Sequence, residues 1–81
     1  MAEHTVRSPL PGVFYRRPGP DQQPFAEVGS SVSAGQVIGL VEIMKQYSEI
    51  KAEVAGTVTA FLAANEAVIG AGDPIATIEA G

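Results

Sequence analysis

The chain has 81 residues, a formal net charge of -4 from nine acidic and five basic side chains, and 46% hydrophobic residues. That length fits one small domain over residues 1–81, whose sheets must bury apolar surface from both sides to form a core. The absence of cysteine excludes disulfides, thiolate nucleophiles and Cys-ligated zinc, the scattered cations argue against a nucleic-acid surface, and no run of about 18 uncharged apolar residues is present; a cytoplasmic chain with protein or small-molecule partners, and neither a nucleic acid nor a membrane, is expected.

Residues 1–5 are polar and read as disordered, with His4 a residue of no role. The following stretch, Val6-Arg7-Ser8-Pro9-Leu10-Pro11-Gly12-Val13-Phe14-Tyr15, is strand-like, its prolines confined to an edge and Gly12 marking a bend or a close backbone approach. Residues 16–24 carry three prolines and form a stiff surface excursion. A strand is expected over 25–28, then a loop over 29–35 with Val32 as its apolar anchor. Residues 37–54 form a hairpin: a β-branched run leads to Met44-Lys45, after which Ser48, Ile50, Ala52 and Val54 alternate with Tyr47, Glu49, Lys51 and Glu53. Gly56 bends the chain, residues 57–62 alternate as a strand, 65–74 read as a loop, and 75–78 close the fold. A short helix over 59–66 is the one arguable departure from β structure.

The two halves repeat each other. Val6, Gly12 and Val13 recur 44 positions later as Ile50, Gly56 and Thr57; Phe25, Gly29 and Val32 recur 36 later as Phe61, Asn65 and Val68; Gly35, Ile38, Val41 and Glu42 recur 37 later as Gly72, Ile75, Ile78 and Glu79. The change from 44 to 36 assigns the first half 8 extra residues, located in the 16–24 excursion. Duplicated β units that cannot each bury an apolar face imply interlocked sheets about a pseudo-twofold axis, a flattened barrel or sandwich.

Met44-Lys45 is a poor hairpin turn by local rules, because the two central residues of such a turn need positive φ and neither side chain visits that region cheaply. Wrong turn chemistry between well-patterned strands points to a functional demand on the tip.

With these residues in view, the chain resembles the biotinyl domain of biotin carboxyl carrier proteins over residues 8–79. That family carries its modified lysine in an E-A-M-K-M sequence at a hairpin tip, and this chain reads Glu42-Ile43-Met44-Lys45-Gln46. Its acetyl-CoA carboxylase branch has a proline-containing thumb after F-Y-R, and here Phe14-Tyr15-Arg16 precedes Arg17-Pro18-Gly19-Pro20-Asp21. Ile43 stands in place of Ala, Gln46 in place of Met, and Arg17 where the thumb often has a small hydroxyl residue.

The resemblance implies an all-β flattened barrel or sandwich of two antiparallel four-stranded sheets with pseudo-twofold symmetry, plus a thumb loop over about 16–24 in the first half. It implies covalent biotin on Lys45, with Glu42, Ile43, Met44 and Gln46 around it and the thumb residues Arg17, Pro18, Gly19 and Pro20 at the cofactor. It also implies a non-catalytic carrier served by a biotin protein ligase, a biotin carboxylase and a carboxyltransferase, acting in acetyl-CoA carboxylation for fatty acid synthesis. Two other readings stand beside it: a lipoyl carrier domain of a 2-oxo acid dehydrogenase complex, opposed by Met44 and the thumb, and an unmodified β-barrel binding module, opposed by the acidic surface and few aromatics. Lys51, in mid-strand, is expected to be plain solvated charge, and Glu42 and Glu49 to pair across strands or simply be solvated rather than act as acid and base.

Overall fold

The computed structural model describes residues 2–19 and 21–80. Period-2 alternation in the sequence is realised as eight strands: β1 (Ala2–Arg7), β2 (Gly12–Tyr15), β3 (Ser31–Val32), β4 (Val37–Ile43), β5 (Gln46–Lys51), β6 (Gly56–Phe61), β7 (Ala67–Ile69) and β8 (Pro74–Ala80). They form two four-stranded antiparallel sheets, ordered β1-β8-β6-β3 and β5-β4-β2-β7. Replacing each strand by the one four places away in the chain converts the first order into the second, so the duplication seen in the sequence is the architecture. The inward faces meet in one apolar cluster, in which Phe14, Ile38 and Val41 of one sheet are matched by Val58, Ile75 and Ile78 of the other, all at 0–1% exposure. Ile38 and Ile75 occupy equivalent register breaks, opposite β5 and β1 respectively. Each bulge drives an extra isoleucine into the core and sharpens the local twist.

Backbone hydrogen bonds fix the repeat more finely than residue types do. Gly35 and Gly72, both left-handed at φ 88° and 85°, donate to the carbonyls of Ala52 and Ser8 at 2.7 Å each. Gly29 and Glu66, at φ 93° and 67°, donate to Val58 and Phe14 at 2.7 and 2.6 Å. Both pairs give an offset of 37 (72 minus 35, 66 minus 29), which corrects the expected 36: Gly29 matches Glu66, not Asn65, and buried Val32 matches buried Ile69, not outward Val68. A slip of one residue exchanges the inner and outer faces of a strand, so only the burial pattern resolves it. The first half therefore has 7 extra residues (44 minus 37), at 18–24, rather than 8.

Other expectations are also corrected. Residues 2–5 belong to β1 and pair along β8 from Ala2↔Ala80 onward, because backbone pairing does not need apolar side chains at a sheet edge. His4 lies within that strand, its Nε2 2.6 Å from Glu53 Oε1. No strand covers 25–28, although Ala26 is buried in the core cluster between the sheets; the neighbouring strand is instead Ser31–Val32. Within 65–74, Ala67–Ile69 pairs with β2, and β8 already begins at Pro74. Residues 59–66 contain no helix, since β6 runs to Phe61. Gly12 is the close approach its sequence position implied: a Cβ there would lie 2.5 Å from the Glu42 carbonyl oxygen.

Candidate functional site

The β4–β5 hairpin pairs Ile43 with Gln46, leaving Met44 and Lys45 as the two turn residues. Both are left-handed, at φ 51° and 66°. This is the backbone of a two-residue turn whose twist matches the strands, imposed on side chains that pay sterically for it. Met44 is 91% exposed, so no packing compensates the strain. Lys45 is exposed, and its amine makes no ion pair or hydrogen bond among the described residues. Ile43, directly before the turn, packs on the core and anchors the base, whereas Gln46 is exposed. Lys51, by contrast, lies along β5 and sits 3.9 Å from Glu49 on the same outward face.

Beside the hairpin stands the excursion. Its neck is closed by Phe25 N donating to Arg16 O at 2.9 Å, while Arg16 N donates to Asn65 Oδ1 at 2.9 Å. The Arg16 guanidinium lies 4.1 Å from the centroid of the Phe61 ring, a cation–π contact that holds the neck on β6. Beyond the neck, Gln22 N donates to Gly19 O at 3.0 Å, a tight turn at the tip of the excursion.

Between the excursion and the outer face of the hairpin sheet is a cleft of about 340 Å³, lined by Arg17, Pro18 and Gly19 on one side and by Tyr15, Leu40, Tyr47, Asn65 and Glu66 on the others. The Arg17 Nε is buried without a hydrogen-bond partner. Tyr15 and Tyr47 approach at 6.3 Å between ring centroids, tilted by 52°. Tyr15 OH donates to Glu42 Oε1 at 3.0 Å, and that hydrogen bond, more than desolvation or the Glu42 charge, raises the phenol above its ordinary value near 10. Glu42 is thus engaged by a tyrosine rather than by a cross-strand charge, which corrects the expected ion pairing: no cation stands opposite it, since its register partners are Val13 and Tyr47.

Of the residues singled out in the sequence, Arg17, Pro18 and Gly19 are brought together with the hairpin through Leu40 and Tyr47, and Glu42 joins through Tyr15. Ile43, Met44, Lys45 and Gln46 are not part of the cleft lining. Pro20 lies outside the described residues. Asn65 and Glu66 were missed. The signal for them was a break in the repeat, because Glu66 holds a left-handed position that the other half gives to Gly29.

A family model described as "Biotin-requiring enzyme" matches residues 4–78. The chain is 40% identical over 79 residues to the biotin carboxyl carrier protein of acetyl-CoA carboxylase of Haemophilus influenzae, covering 98% of this chain and 51% of that protein. With the protein of the same description from Pseudomonas aeruginosa it shares 41% identity over 75 residues, 93% of this chain and 48% of that one. The chain thus spans about half the length of these relatives. Among solved structures, the urea carboxylase of Kluyveromyces lactis superposes with a TM-score of 0.79 at 29% identity, covering 98% of this chain and 6% of that one. A matched duplication, a lysine held out on a strained turn and a family match spanning nearly the whole chain lead to one assignment: the chain belongs to the biotin/lipoyl attachment-domain family of biotin-requiring enzymes.

Proposed function

We propose that this chain is a biotin carboxyl carrier domain, modified by a biotin protein ligase on Lys45 and serving the carboxylase and carboxyltransferase steps of acetyl-CoA carboxylation. The observation that carries the reading is the unpaired Lys45 amine beside a 91% exposed Met44, on a turn where both residues are left-handed. Bound through an amide at Nζ, biotin supplies a ring nitrogen on which a carboxyl group is carried from one active site to another.

The chain's own residues do the rest. Lys45 provides the acylable amine and a flexible four-carbon stem, and acylation removes its positive charge. Ile43, packed on the core, and the paired strands behind it keep the turn in one conformation, so that the motion is confined to the arm. Tethering on such a base gives an effective concentration on the order of mM at both sites. Met44 offers an apolar contact that adapts to more than one protein surface. Arg17, with a buried and unpaired Nε, and the Tyr15, Leu40 and Tyr47 walls fit a compact ring with an apolar body and polar edge, so the cleft beneath the thumb supports a resting place for the prosthetic group. No residue of the domain is required to act as an acid or base in this role; the domain carries and presents.

Intact-mass analysis after co-expression with a biotin protein ligase tests the reading. A single biotinyl adduct is expected, lost in Lys45→Ala and retained in Lys51→Ala. A lipoyl adduct, or labelling that survives Lys45→Ala, refutes it.

A further inference from the structure

The duplication supplies an internal control for the molecule's surface. On the outer face of the Lys45 sheet one cross-strand row reads Val68, Val13, Glu42, Tyr47, and the equivalent row of the other sheet reads Ser31, Thr57, Glu79, Glu3. In the next row Tyr15 and Leu40 stand where the other sheet has Thr59 and Thr77, whose hydroxyls bond each other at 2.6 Å. Two backbones of the same shape, with equal freedom to be polar outside, have diverged, and only the one that bears Lys45 is mainly apolar. Val68 is 84% exposed on an edge strand and Val13 is its register partner, yet neither lines the thumb cleft. The cleft therefore does not account for them.

Resting on the reading that Lys45 is modified, we infer that the row Val68, Val13, Tyr47 is the docking face for the enzyme that acylates Lys45, and that this enzyme presents an apolar patch bordered by cations. Tyr47 lies two residues behind Lys45, roughly 7 Å along the strand, so an enzyme whose active site takes the Lys45 amine stands over the Tyr47 end of this row, and the row continues from there across β4 and β2 to β7. Glu42, engaged by Tyr15, interrupts the row, and Glu49 and Glu66 border it, which fits a basic rim on the partner. The same acids oppose a second copy, because an isologous contact would bring each acidic rim against itself.

The test is steady-state acylation of the purified, unmodified domain by a biotin protein ligase with biotin and ATP. Val13→Thr with Val68→Ser, which installs the residues of the equivalent sheet, is expected to raise KM for the domain about tenfold at unchanged kcat, and Ser31→Val with Thr57→Val to change neither. Thermal midpoints near that of the wild type establish that the variants are folded; Val68→Ser alone, at an exposed edge position, serves if the pair is not, with a rise of at least threefold expected. Labelling with an unchanged KM overturns the docking face while leaving the carrier reading in place, whereas failure of the wild-type domain to label overturns both. A wild-type dimer dissolved by the two substitutions also overturns the proposal, since the face would then be a self-interface.

Discussion

Replacing Met44 by Asn and Lys45 by Gly makes the hairpin turn conform to ordinary turn chemistry, and the domain is expected to become more stable as it loses its function. A side chain with a Cβ in the left-handed region costs roughly 1–2 kcal/mol per residue, and here two adjacent residues stand at φ 51° and 66°. Asn recovers part of that cost at Met44, and Gly recovers it at Lys45 less the roughly 0.5–1 kcal/mol of extra chain entropy that glycine loses on folding. Since Met44 is 91% exposed and Lys45 is unpaired among the described residues, the substitutions remove no packing or ion pair to offset the gain. The net is about 1.5 kcal/mol for the double variant, a rise of roughly 6–12 °C in the thermal midpoint of a domain this small. Urea unfolding of the unmodified wild type, each single variant and the double variant measures it. Met44→Asn alone is expected to gain about 0.7 kcal/mol and, retaining the lysine, to be acylated more slowly. A double variant no more stable than the wild type would mean that the turn is not strained and that the Met44-Lys45 backbone is no sign of a functional demand on the tip.

Two further outcomes are expected. In a Tyr47→Phe background, where Tyr15 is the one remaining phenol, its ultraviolet titration midpoint should lie above the ordinary value near 10 and move back toward it in Glu42→Gln. Because the folded value is raised, the hydrogen bond's contribution to stability is complete below pH about 10 and is lost as pH rises through the folded midpoint; coincident midpoints in the two proteins would rule out the bond. Excision of residues 18–24, joining Arg17 to Phe25 as Phe61 joins Leu62 in the other half, should leave a folded domain that is still acylated on Lys45 but transfers carboxyl groups several-fold more slowly; full turnover would show that the thumb has no part in transfer.

Much of the fold was legible because it is written twice. The β4–β5 hairpin was readable from alternation alone, since Ile50 and Ala52 are buried and Glu49 and Lys51 exposed as their parity demands. The pseudo-twofold was readable from glycines at positions that only a left-handed or crowded backbone requires. Strand pairing at Ala2–Arg7 was not, because an edge strand held through one ladder to β8 carries no apolar signature until Val6. Nor were Ser31–Val32 and Ala67–Ile69, strands too short for periodicity to register. The tip lysine stood out because its turn is locally wrong, whereas the cleft did not: Tyr15, Leu40 and Asn65 come from distant stretches and meet only when β2 lies between β4 and β7.

The contact of His4 with Glu53 has a mechanical consequence. It seats the start of β1 beside the end of β5 that is remote from the turn, and Ala2 and Ala80 are register partners there. On the carrier reading proposed above, any polypeptide joined to either end would depart from this one pole, while the cargo would leave from the opposite one. The folded body is thus an inextensible boom between its mooring and its load, and lengthening a flanking segment would widen the arc swept by Lys45 without loosening the aim of its side chain.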